Sequence, residues 1–122
     1  MLYTNLKHIE SAYKLSQIIH ENQQVVVICG NMGPGSIPVY RITEELEDQY
    51  AHVKFYDLEY ENPELTVIRS LPEMSTFKEI PIVIYYKNGD IVKATSGLQT
   101  KAQVKAILDQ QFAESENAAH NK

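Results

Sequence analysis

The chain has 122 residues, 11 Lys+Arg against 16 Asp+Glu, a net charge of −5 and 43 % hydrophobic content. That is enough chain for one domain with one core, and its ordinary polar balance excludes a disordered or fibrous polypeptide. No basic run is present to hold nucleic acid or an anionic membrane, and the longest apolar runs are far too short to span a bilayer. We therefore expect neither nucleic acid nor membrane among the partners.

Met1 to Glu10 lacks a basic stretch followed by an apolar one, so no secretory signal is expected. One cysteine allows no internal disulfide and suits a reducing, cytoplasmic location. His8, His20, His52 and His120 are scattered and read as surface residues, and no Cys/His cluster has metal-ligand spacing. No metal or cofactor is expected.

Leu2 to Ile9 reads two ways: Leu2, Thr4 and Leu6 alternate like an edge strand, while Leu6, Ile9 and Tyr13 fit one helix face, and the short strand is favoured. A helix capped at Ser11 follows, with Ala12, Leu15, Ile18 and Ile19 as its apolar stripe. Val25 to Ile28 is apolar at every position, the pattern of a strand buried on both faces. The Gly30-to-Pro38 loop leads into a helix over Ile37 to Tyr50, with Pro38 in its first turn and Ile42, Leu46 and Tyr50 inward. Glu44, Glu45, Glu47 and Asp48 read as that helix's solvated face. Val53 to Leu58 is a second strand. Asn62-Pro63-Glu64 starts a helix, with Leu65, Ile68 and Leu71 inward and Pro72 as its stop.

Ile82 to Tyr86 is a third strand, and Asn88-Gly89 turns it back through Ile91 to Thr95. Gly97 ends that strand. Thr100 and Gln103 form a capping box for a last helix with Val104, Ile107, Leu108 and Phe112 as its stripe. Residues 1–112 read as one α/β domain with a mixed central sheet flanked by helices on both faces. Residues 113–122, without a large apolar side chain, read as a flexible tail.

Three pieces now carry a resemblance: Met32-Gly33-Pro34-Gly35 after the central strand, Ile80-Pro81 before the strand that ends in Lys87-Asn88-Gly89, and Ser96-Gly97-Leu98 before the capped helix. In this order and spacing the chain resembles the thioredoxin-like superfamily from about Leu6 to Phe112. The resemblance implies a thioredoxin-like fold and a cis Ile80–Pro81 peptide facing the loop. It also implies a peptide-binding groove formed by Met32, Pro34, Ile37, Phe77, Ile80, Pro81, Gly97 and Leu98, unless Phe77 and Ile37 are simply core residues.

The departures bear on activity. Met32 stands at the family's first cysteine, and Gly35 or Ser36 at the second. The family's buried Asp falls at Val26, its partner Lys at Tyr56, and the aromatic residue before the first cysteine at Asn31. A dithiol oxidoreductase needs two thiols within bonding reach, and this chain has one. The reading is a redox-inactive thioredoxin-like domain that binds a protein or peptide beside the former active-site loop, Met32 to Ser36.

Three alternatives stay open. Cys29 is either a small core residue or the thiol of a single-cysteine thiol–disulfide oxidoreductase. Ser36 is either a helix cap or the mark of a Cys-to-Ser variant of a redox protein acting in cell redox homeostasis. Gly33, Pro34 and Gly35 form either a tight turn or a backbone N–H site for an anion.

Overall fold

A computed structural model describes residues 2–112, with the backbone alone at 65–67. The proposed tail at 113–122 lies outside the described residues. The elements run β1 (Lys7–Ile9), α1 (Ala12–Glu21), β2 (Gln24–Gly30), α2 (Ile37–Gln49), β3 (Lys54–Glu59), α3 (Thr66–Arg69), β4 (Ile82–Lys87), β5 (Asp90–Ser96) and α4 (Lys101–Gln111). Short 3₁₀ turns occupy Pro63–Leu65 and Pro72–Met74.

The sheet order is β1-β3-β2-β4-β5. β1 and β2 both pair with β3 in parallel, β4 runs antiparallel to β2, and β5 antiparallel to β4. β2 is central, and every residue from Val25 to Gly30 is buried. Its alternation divides the core. Val26 and Ile28, with Phe55, Val83 and Tyr85, meet α2 and α4. Val25, Val27 and Cys29, with Leu58, Ile82, Ile84 and Tyr86, form the opposite core with Leu15, Ile18 and Ile68 of α1 and α3.

Local signals fix the ends of the elements. Ser11 Oγ accepts the Lys14 N–H, and Thr100 and Gln103 cap α4 reciprocally. Asn88 and Gly89 both adopt positive φ, 54° and 87°, as a two-residue hairpin of the NG type requires. Among the described residues, no helix is long and apolar enough to cross a membrane.

The structure corrects several expectations. The first strand is Lys7–Ile9, not Leu2 to Leu6. Leu2 and Leu6 are instead buried in the α2/α4 core as part of an irregular strap. α2 turns Val39, Tyr40, Thr43 and Leu46 inward, with Ile42 only partly buried. The Asn62 start forms as expected, with Glu64 N–H donating to Asn62 Oδ1 (3.0 Å). The helix then breaks into a 3₁₀ turn and a four-residue α3, in keeping with the β-branched run Thr66-Val67-Ile68. It ends at Arg69, before Pro72.

Candidate binding loop and the buried groups around it

β2 delivers the chain to Gly30, and the loop must turn there under close constraint. A Cβ on Gly30 would stand 2.7 Å from Ser36 Oγ, 2.7 Å from the Tyr40 hydroxyl and 3.2 Å from Pro81 Cβ. Only glycine fits without moving its neighbours. These distances also show that the loop, α2 and Pro81 converge at one point. Ile80–Pro81 is cis, and a Cβ on Gly35 would approach the Ile80 carbonyl to 3.2 Å. Gly97 N–H donates to the Pro81 carbonyl (3.0 Å), which brings Leu98 to the same edge. Met32, Gly33, Pro34, Gly35, Ser36, Ile80, Pro81, Gly97 and Leu98 are thus gathered into one region.

Asn31 and Ser36 lock the loop from within. Gly33 N–H donates to Asn31 Oδ1 (2.8 Å), the Ser36 hydroxyl donates to the same oxygen (3.2 Å), and Asn31 N–H donates to Ser36 Oγ (3.3 Å). Ser36 is 1 % exposed. It occupies the N-cap position of α2, yet its side chain makes no cap hydrogen bond because it faces back to Asn31. The expected capping role for Ser36 is therefore replaced by a loop-closing one. The Gly33 N–H is consumed as well, which weakens the anion-site reading of this turn.

Cys29 lies on the other side of the sheet. It is 1 % exposed and packs with the α1/α3 core. Burial pushes its thiol up to about 12 from 9.0, and Arg69 opposes that shift only in part. Phe77 also leaves the expected groove, because it packs against the α1/α3 core beyond Met74. Tyr56 packs on that face too, whereas Val26 faces α2, so the positions expected for the family's Asp and Lys cannot be partners.

The charged residue on the α2 side is Asp57, which pairs in register with Ile28 and is 0 % exposed. The Thr4 hydroxyl donates to Asp57 Oδ2, and His8 Nδ1 lies 2.6 Å from Oδ1. Burial raises the Asp57 carboxyl, while the Thr4 and His8 contacts oppose that rise. A cavity of about 320 Å³ opens here, bounded by Leu2, His8, Glu10, Asp57, Glu59 and Glu64 among others. His8 is thus a partner of a buried acid, not simply a surface residue. Among the described residues, no three His, Cys, Asp or Glu side chains converge as a metal set. The Asp57 site was missed from sequence. Its signal was an Asp at an inward position within Phe55-Tyr56-Asp57-Leu58.

No protein-family model matches the chain, and no curated protein matches it. Solved structures do. A thioredoxin of Plasmodium falciparum superposes with a TM-score of 0.73 at 19 % identity, covering 87 % of this chain and 99 % of that one. The chain has a thioredoxin-like fold. Thioredoxin f2 of Chlamydomonas reinhardtii gives 0.73 at 17 % identity over 89 % of this chain and 98 % of its own. Oxidised thioredoxin O2 of Arabidopsis thaliana gives 0.72 at 12 % identity over 91 % and 97 %. At these identities the likeness concerns the thioredoxin-like fold. The single cysteine leaves no dithiol pair within the chain.

Proposed function

We propose that this thioredoxin-like fold serves as a redox-inactive binding module. It takes an extended protein or peptide segment at Met32 to Ser36, Ile80-Pro81 and Gly97-Leu98. One observation carries the reading. Among the described residues four large hydrophobics are exposed, and two of them adjoin this region. Tyr3, 75 % exposed, is joined to the loop by its N–H on Met32 Sδ (3.3 Å). Leu98, 65 % exposed, follows the glycine bonded to the Pro81 carbonyl. Exposed apolar side chains beside a loop already closed by its own hydrogen bonds offer contact surface without chemistry.

Cys29 gives no comparable support to a single-cysteine oxidoreductase, since a reactive thiol needs access and a depressed pKa. The Cys-to-Ser alternative fares no better as a partner for it. Ser36 sits on the α2 side, so a cysteine there would face away from Cys29. A reducing cytoplasm suits a chain whose one thiol is packed in a core.

The test is selection of extended peptides from a displayed library against the whole chain, followed by amide chemical-shift mapping. The expected peptides perturb Met32 to Ser36, Ile80 and Gly97-Leu98, and Leu98→Asp weakens them about tenfold, the scale of one lost apolar anchor. Perturbations confined elsewhere, or binding indifferent to Leu98→Asp, would overturn the proposal.

A further inference from the structure

The segment ahead of β1 has no regular structure, yet three successive residues tie it to three different elements. Tyr3 N–H donates to Met32 Sδ in the loop (3.3 Å). The Thr4 hydroxyl donates to Asp57 Oδ2 on β3. Asn5 N–H donates to Glu44 Oε2 on α2 (2.7 Å). Leu2 and Leu6 are buried at the two ends of the strap. Leu6 N–H also donates to Thr4 Oγ1 (3.1 Å), so the hydroxyl both gives and accepts.

Two of these acceptors are carboxylates, and a carboxylate makes a stronger hydrogen bond than a neutral oxygen. Asp57 is also held in place from its other oxygen by His8. Even so, the strap buries little between its ends, and the Tyr3 side chain stands mostly in solvent. Between the two core leucines its docking rests on a few polar ties, a balance that lets residues 3–5 open locally well below the free energy of global unfolding.

We propose that residues 3–5, held at either end by the buried Leu2 and Leu6, form a releasable latch on the loop, which when docked covers Met32 Sδ and sets Tyr3 at the binding face, and when released withdraws both. The role of Tyr3 toward a partner rests on the binding function proposed above. The latch itself does not, because docking and release are properties of the free protein. Thr4 and Glu44 are its positioning residues, acting through the backbone on Tyr3.

The decisive experiment is peroxide oxidation of the whole chain, with sulfoxide followed by mass spectrometry at Met32 and at the buried Met74 as internal control. We expect Thr4→Val and Glu44→Ala each to speed Met32 oxidation about tenfold, the effect of one lost hydrogen bond to a charged group, with Met74 unchanged. In the wild type the Tyr3 and Asn5 amides exchange slowly with solvent. Met32 oxidation at one rate in all three proteins, or Tyr3 and Asn5 exchanging as in a free peptide, would overturn the latch. Should Thr4→Val speed Met74 as well, the fold has loosened, and Glu44→Ala decides by the same criterion. Neither readout uses a partner, so a failed peptide selection leaves the latch standing, and uniform Met32 oxidation removes the latch alone.

Discussion

The two faces of the sheet are built from the same strands but by different rules. The α1/α3 face is a mainly aliphatic core of Ile18, Val27, Ile68 and Ile84 with Tyr86, and Cys29 fills space within it. Among the described residues, the buried polar side chains Ser36, Thr43 and Asp57 lie on the α2/α4 face, together with the hydroxyls of Tyr40 and Tyr85. Burying polar groups costs free energy unless each finds a partner, so a face that concentrates them is organised for more than packing. The loop, the strap and the buried acid all lie on that side. The one thiol does not. In this chain the thioredoxin-like scaffold therefore separates its one thiol from the proposed binding surface.

The sharpest way to break the comparison is to empty the apolar face. Ile84 is fully buried, so Ile84→Ala is expected to cost about 2–5 kcal/mol in urea denaturation, by lost transfer energy plus a cavity. A loss below about 1 kcal/mol would mean that this face is loosely packed.

Gly30→Ala probes the junction of the loop, Ser36, Tyr40 and Pro81. Overpacking at 2.7 Å from two side-chain oxygens is expected to cost about 1–3 kcal/mol and to shift the Ser36 and Pro81 resonances. A neutral result would contradict the close approach.

Tyr85→Phe gives the smallest effect and the opposite sign. The Tyr85 hydroxyl is buried without a protein hydrogen-bond partner. Removing it is expected to leave stability equal or raise it by up to about 1 kcal/mol. Destabilisation would reveal a partner for that hydroxyl.

Much of this architecture was legible because its signals are local. The β-branched run at Val25 to Ile28, the Asn88-Gly89 turn and the Thr100/Gln103 capping box each act within a few residues. The face of each helix was read less well. Tyr40 was not among the inward positions read for α2, yet its hydroxyl stands with Ser36 Oγ against Gly30 across the loop. The strap was illegible for a stronger reason. Leu2, Thr4 and Leu6 have strand alternation, and only the side chains of Asp57 and Glu44, far along the chain, decide that the segment docks instead of pairing. Tyr56 was misplaced because an offset of one residue in a strand exchanges the two faces, while for Phe77 the core reading of the two left open is the one that holds.

The separation of the thiol from the proposed binding surface is tested most directly by the alkylation of Cys29 against pH, read beside stability. Burial raises this thiol from 9.0 to about 12, so the folded state favours the neutral form. The sign follows by linkage: that stabilisation is complete below pH 9.0 and is lost as pH rises through about 12. The account predicts that native protein labels only as fast as it unfolds. It also predicts that the urea midpoint of the wild type falls relative to Cys29→Ala as pH rises above 9.0. Rapid native labelling near neutral pH, with an apparent pKa below about 8.5, would make Cys29 a reactive thiolate and contradict the account.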